Sequence, residues 1–414
     1  MSAPVSDADR SLAEPEVQEC PWPYYRAVSE RSIFFDAALN FYVCVDYQMM
    51  REIMRQPQRF SSVNSQNIAH MRTPPEAVRA IQAAMERPVN ILVSSDPPEH
   101  GRVRSLLDPP FRSREITALR PRIESIVEDV IDRFIRGDTF DAVADFAIPI
   151  PITVIADILG LDRSYAQTIK DWSDASVEPL GMMISDERWV ECAQSLREFQ
   201  DFMRAELEQR QREPRDDLLT HLVQARDEHG NPLTMGEMLG VTQQLLVAGN
   251  ETTTNGIAAG VQLLIENPEQ QAYLREHSDR MYTFVNEVLR LESPVQGLFR
   301  ITTEDVTLGG LDIPRGSRIH LRYAAANRDP RKYNDPDTLD VCRSNAGTQV
   351  GFGAGIHHCL GANLAREEMH QAFTSLLAHT AELAFAPGAA ELAHHPSLVL
   401  RGLQRLDVAF RQAG

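Results

Sequence analysis

The stretch from Thr234 to Glu266 constrains this chain more than any other feature. Thr234 and Glu237 have the T-x-x-E spacing of a capping box, in which each side chain satisfies the other residue's backbone N–H. Asn267-Pro268 ends the pattern, because proline cannot continue a helix. A helix of ~30 residues spans roughly 45 Å, the width of a domain. Its centre, Leu245-Leu246-Val247-Ala248-Gly249, is almost wholly apolar, which predicts burial at the heart of the fold. Asn250, Glu251, Thr252, Thr253 and Thr254 follow directly. Polar groups in a buried helix are costly unless paired, so this step from apolar to polar points to function.

The rest of the chain reads as mostly helix with a minor sheet. A hairpin is expected around Ala37–Asn40, between apolar runs within Ser32 to Asp46. Residues 61–98 show little periodicity and read as a long connection, and a helix is expected to open at Asp96 as N-cap with Pro97 behind it. Helical spacing covers Ile116 to Ile135 and residues 189–212. Strands are expected within Arg300 to Ile319 and around Leu398–Leu400 and Leu406–Phe410. No repeat or low-complexity linker appears. We therefore expect one domain over residues 1–414, with residues 1–20 a flexible tail.

Charge and cysteine usage narrow the function. The 414 residues include 59 acidic and 41 basic side chains, a net charge of −18, so nucleic-acid binding is not expected. Five scattered cysteines without C-x-x-C spacing argue against a disulfide framework or zinc ribbon. The polar N-terminus is no signal peptide. The apolar stretch Phe146 to Leu161 is interrupted by Pro149, Pro151 and Asp157, so no membrane-spanning helix is expected. A cytoplasmic protein with no membrane partner is the expectation.

The segment Phe352-Gly353-Ala354-Gly355-Ile356-His357-His358-Cys359-Leu360-Gly361 carries the most specific chemistry. A helical pattern follows at once, placing Cys359 just ahead of a helix N-terminus, where backbone N–H groups favour a thiolate. Glycines let the loop approach a flat group closely. A thiolate held this way suits axial ligation of haem iron. The competing readings are a buried free cysteine and a zinc site using His357, His358, Cys359 and Cys342, although adjacent histidines do not readily face one metal.

This segment resembles the haem-binding loop of the cytochrome P450 family of haem-thiolate monooxygenases. Three further motifs carry the resemblance, which spans nearly the whole chain. Glu287-Val288-Leu289-Arg290 matches the family's E-x-x-R pair, selected by position over Glu52/Arg55, Glu76/Arg79 and Glu99/Arg102. Arg343 matches its third, structural partner. Ala248-Gly249-Asn250-Glu251-Thr252-Thr253 matches the family's long-helix motif, and His100 with Arg104 matches its H-x-x-x-R.

The resemblance implies a mainly α, triangular-prism fold with small β-sheets, the haem lying between the long helix and the cysteine-loop helix. It implies haem b with Cys359 as the iron ligand. Phe352, Gly353, Gly361 and Ala248 would line the haem, and His100, Arg104, Arg300 and His357 would meet its carboxylates. Thr252 would hydrogen-bond dioxygen or an adjacent water, and Glu251 would relay protons. The implied reaction inserts one oxygen atom from O2 into a hydrophobic substrate (terpenoid, steroid or aromatic). Electrons would come from an iron–sulfur ferredoxin and a flavoprotein reductase on separate chains. Arg366, and more weakly Arg102 and Arg112, are candidates for docking it on a monomeric enzyme. Candidate substrate contacts are Gln244, Val247, Ala248, Val295, Gln296, Leu298, Leu398 and Val399, with the 61–95 and 179–185 regions. Gln244 is an amide at a position where an apolar group is expected, so it is expected to hydrogen-bond a substrate carbonyl or hydroxyl. A peroxide-driven enzyme of the same fold, or a haem sensor, stays open at this point.

Overall fold

A computed structural model describes residues 6–66, 72–86, 89–181 and 183–413. The chain begins with α1 (Pro15–Glu19), α2 (Trp22–Val28), β1 (Ile33–Asp36), β2 (Phe41–Cys44), α3 (Tyr47–Met54) and β3 (Phe60–Ser61). There follow α4 (Glu76–Ala83), α5 (Glu99–Leu107), α6 (Ser113–Phe134), β4 (Thr139–Asp141) and α7 (Pro149–Leu159). The central helices are α8 (Ala166–Val177), α9 (Asp186–Arg212), α10 (Leu218–Gln224) and α11 (Met235–Glu266). Next come α12 (Pro268–Glu276), α13 (Met281–Leu291), β5 (Leu298–Thr302), β6 (Val306–Leu308), β7 (Leu311–Ile313), β8 (Arg318–Leu321) and α14 (Tyr323–Ala326). The chain ends with α15 (Ala362–His379), β9 (Thr380–Phe385) and β10 (Asp407–Gln412).

The architecture is the expected one, mainly helical with small sheets. One sheet has the order β1-β2-β8-β5-β3, with β2 and β8 parallel and the other neighbours antiparallel. A second has the order β4-β10-β9, and β6-β7 form a hairpin. The main apolar core runs through the helices, where α11 packs on α7, α8, α13 and α15.

The capping box that opens α11 is formed in both directions. The Glu237 N–H donates to Thr234 Oγ1 (3.2 Å), and the Thr234 N–H donates to Glu237 Oε2 (2.8 Å). Helices α11 and α15 come close at Gly260, where an added Cβ would lie 2.1 Å from the Phe373 ring. The aromatic ring occupies the volume that any side chain at position 260 would need.

Several sequence expectations change. Asp96 does not cap α5; Pro98 precedes that helix, and the Asp96 carboxylate instead binds Ser61 and the Ser62 N–H. The supposed connection at 61–98 contains α4. Leu400 forms only an isolated bridge with Val295. Residues 6–20 are packed rather than a loose tail: Leu12 and Val17 are buried, and Asp36 binds the Ser11 hydroxyl and the Leu12 N–H. Residues 1–5 lie outside the described residues. Pro149 and Pro151 do not break the apolar stretch either. Proline is tolerated in the first turn of a helix, and a π-helical turn, Ala142–Ala147, leads into α7. Ala142–Leu159 is thus long and apolar enough to cross a membrane, but most of it is buried within the fold.

Gly260→Val is expected to force α11 and α15 apart. Overpacking of this kind costs about 1–3 kcal/mol, so the variant should melt several degrees below the parent in a thermal unfolding scan.

Candidate active site

Cys359 stands on a loop that the chain shapes tightly. Gly353 and Gly355 both have φ of +68°, and a Cβ at Gly355 would lie 2.5 Å from the Met54 carbonyl oxygen. The Cys359 N–H donates to the Phe352 carbonyl (2.9 Å), closing the loop three residues before α15 begins at Ala362. Burial pushes the Cys359 thiol up, while the Gly361 N–H and the nearby Arg104 and Arg366 favour the thiolate. Arg366 stacks 4.5 Å over the Phe352 ring.

Four basic residues from three separate segments converge beside this loop. His100 and His357 meet ring to ring at 4.4 Å. Burial, then Arg300, His100 and Arg104, push His357 down to about 3. Arg104 donates to Asp108 (2.7 Å) and to the His358 carbonyl (2.8 Å). Arg300 is 3% exposed, and burial lowers its pKa. Among the described residues the only hydrogen bond of its guanidinium is to the Phe299 carbonyl (2.8 Å), and no carboxylate pairs with it. A buried guanidinium without a carboxylate is costly. This cluster therefore suits a ligand that brings its own carboxylates.

On α11 the polar step falls where the helix meets accessible space. Ala248, midway along the helix, is exposed. The Thr252 hydroxyl donates to the Ala248 carbonyl (2.7 Å), so its oxygen keeps its acceptor capacity. Glu251 is held by Lys170, whose Nζ lies 3.4 Å from Oε1 and also pairs with Asp174. Burial raises the Glu251 carboxyl; Lys170 opposes this and Asp174 adds to it. Burial works against the Lys170 charge, but Glu251 and Asp174 outweigh it. The ammonium stays charged, while burial, with a further contribution from Asp174, keeps the Glu251 pKa raised.

Behind the loop lies a sealed ion-pair triad. Arg290 donates to both Glu287 oxygens (2.6 and 2.8 Å), and Arg343 donates to Oε2 (3.0 Å). Glu287 and Arg290 are fully buried. The three expected members are therefore in contact.

The family assignment follows from these features and from comparison with known proteins. The cytochrome P450 profile matches residues 40–381. The chain belongs to the cytochrome P450 family. Cytochrome P450 107B1 of Saccharopolyspora erythraea is 37% identical over 77% of this chain and 76% of its own. Vitamin D(3) 25-hydroxylase of Pseudonocardia autotrophica is 37% identical over 81% of both chains. The crystal structure of cytochrome P450 CREJ with (4-ethylphenyl) dihydrogen phosphate superposes with a TM-score of 0.90 at 28% identity, covering 94% of this chain and 97% of that one. This P450 is a haem-thiolate monooxygenase with haem b as cofactor, and the cation cluster and cysteine loop fit that group.

The substrate-contact expectations fare less well. Gln244 uses both ends of its amide on main chain: Nε2 donates to the Ile91 carbonyl (3.1 Å), and Oε1 accepts from the Val93 N–H (3.4 Å). It pins the 91–93 segment to α11, so the expected substrate hydrogen bond is replaced by a structural one. Gln296 is buried in a polar knot with Tyr25, Arg322 and the Glu292 and Ser293 carbonyls, away from any substrate role. Leu398 and Val399 pack in a buried cluster with Phe41 and Phe299. Val247, Val295 and Leu298 are half-buried. Within the 61–95 and 179–185 regions, residues 67–71, 87–88 and 182 lie outside the described residues. Arg102 is withdrawn as a docking cation, because it pairs with Glu237 and Asp227. Arg112 is exposed.

Lys170 and the Asp96–Ser62 contacts escaped the sequence reading. Lys170 is one of only two lysines in the chain, a rarity that could have flagged it.

Two measurements test this site. Glu287→Gln leaves the fully buried Arg290 guanidinium and its neighbour Arg343 short of a counter-charge, at a cost of about 3–5 kcal/mol. Chemical denaturation should show that loss, together with a lower yield of thiolate-ligated holoenzyme. Gln244→Leu should weaken all ligands alike by loosening the 91–93 segment; a selective loss for ligands bearing a carbonyl or hydroxyl would restore the substrate contact.

Proposed function

We propose that this enzyme hydroxylates a hydrophobic organic substrate, of terpenoid, steroid or aromatic type, using O2 and electrons from a ferredoxin and its flavoprotein reductase. The observation that carries the reading is the Glu251–Thr252 pair on α11 beside the exposed Ala248. A carboxyl and a hydroxyl side by side suit ordered proton delivery, which a peroxide-driven enzyme would not need. The similarity to a vitamin D(3) hydroxylase supports a bulky, mostly apolar substrate. We place the enzyme in the cytoplasm as a monomer, with Arg366 and Arg112 toward the ferredoxin.

In this reading Cys359 would hold the haem iron, and Phe352, Gly353, Gly361 and Ala248 would line the haem. His100, Arg104, Arg300 and His357 would hold its carboxylates. Bound haem supplies the activation of dioxygen and the transfer of one oxygen atom to a C–H bond. The protein's own part is to position and to protonate. The Thr252 hydroxyl hydrogen is committed to the Ala248 carbonyl, so Oγ1 accepts a hydrogen bond from a proton-bearing neighbour. Glu251, with its raised pKa, carries a proton at higher pH than an ordinary glutamate and passes it inward. Lys170 orients that carboxyl.

The reduced, carbon-monoxide-saturated enzyme should show a strongly red-shifted Soret band that Cys359→Ser abolishes; a normally placed band in the parent would overturn thiolate ligation. Glu251→Gln should lower ferredoxin-supported turnover by about a hundredfold. The substrate-induced spin shift should stay unchanged. Equal turnover in parent and variant, or activity with peroxide alone, would favour the peroxide-driven alternative.

A further inference from the structure

The four basic residues proposed to hold the haem carboxylates lie on α5, on β5 and in the cysteine loop, far apart in sequence. One short element touches all three. β3 pairs with β5, setting Ser61 opposite Ile301, next to Arg300. Asp96, just ahead of α5, accepts the Ser61 hydroxyl on one oxygen (2.5 Å) and the Ser62 N–H on the other (2.8 Å). Its main-chain carbonyl accepts the His100 N–H (2.9 Å). Finally, the Ser62 hydroxyl lies 3.0 Å from His357 Nε2 in the cysteine loop.

Among the described residues, only one arrangement of that last contact leaves no group stranded. Ser62 is fully buried, and among the described residues its hydroxyl has no partner besides His357. Were Nε2 to carry the hydrogen, in either a neutral or a protonated ring, it would donate to Ser62 Oγ. The buried hydroxyl hydrogen would then have no acceptor, a costly outcome. If Ser62 donates to Nε2 instead, both groups are satisfied. A neutral imidazole that accepts at one nitrogen carries its hydrogen on the other. Nδ1, which has no protein partner among the described residues, is then a donor.

We infer that Ser62 is a positioning residue that fixes His357 as its Nδ1–H tautomer, aimed to donate to a haem carboxylate. Asp96 supports it by holding the Ser62 main chain. The inference rests on the reading that His357 meets such a carboxylate.

The test follows haem transfer from the holoenzyme to excess apomyoglobin. Ser62→Ala and His357→Phe should each speed haem loss, by about tenfold for one lost hydrogen bond in a buried site. The double variant should lose haem no faster than His357→Phe alone, because Ser62 acts through His357. Parent-like haem loss in Ser62→Ala beside faster loss in His357→Phe would overturn the positioning role alone. So would a double variant whose effect is the product of the two. Parent-like loss in His357→Phe would overturn the carboxylate reading and this inference with it. A second measurement needs no Ser62 variant. Nitrogen-15 NMR of the ferrous, carbon-monoxide-bound enzyme, with His357→Phe for assignment, should show the Nδ1–H tautomer; an Nε2–H tautomer or an imidazolium would overturn it.

Discussion

Two guanidiniums and one carboxylate are shut away behind the cysteine loop, and that imbalance organises the chain around them. Glu287 gives its oxygens to Arg290 and Arg343 and accepts the Asp340 N–H (3.1 Å) as well. One positive charge is left over. Main-chain carbonyls absorb it: Pro336, Thr338 and Asn327 accept from Arg290, and Asn334, Asp335 and Thr338 accept from Arg343. Carbonyls can serve only if the backbone points them inward, so the irregular chain from 327 to 343 is held to one course. Asn327 carries the constraint onward. Its amide donates to Ser293 (3.0 Å), and its Oδ1 accepts the Val350 N–H (2.8 Å). The cysteine loop thus hangs from α13 through hydrogen bonds that tolerate little displacement.

Much of this was legible in the sequence because it depends on local pattern. The boundaries of α11 follow from Thr234, Glu237 and Pro268, all within one or two turns of the helix ends. The cysteine loop was legible because its glycines and Cys359 lie within ten residues. Gln244, Gln296 and Arg102 were misread for the opposite reason. Gln244 and Gln296 are polar side chains among apolar residues, and Arg102 was a docking candidate offered with the family resemblance. Their partners include groups 153, 271 and 135 residues away in sequence, and several are backbone groups. A side chain used to satisfy buried main chain looks, in sequence alone, like one kept for a ligand.

The cation cluster shows how far the reading could go. His100 and Arg104 are one helical turn apart and could be paired by spacing. Their convergence with Arg300 and His357 depends on where a two-residue strand, β3, meets β5 and α5. Neither periodicity nor composition marks so short a strand. Asp96 contributes negative charge nearby, felt by both His100 and Arg300 without pairing with either, but burial outweighs it and pushes both groups down.

The same economy of charge appears on the other face, at Glu251. A carboxyl locked in a close ion pair would be a poor proton carrier, since its ionised form would be too stable. Lys170 is shared, and Asp174 holds it more closely than Glu251 does, so the carboxyl on α11 keeps a cation for orientation without being pinned in the charged state. Asn250 adds a neutral contact to the same oxygen (3.2 Å). The polar step in an otherwise apolar helix is therefore a balanced group rather than a buried defect. Burial raises its proton affinity, the shared ammonium limits the rise, and the next residue in the helix is the one whose hydroxyl is free to accept.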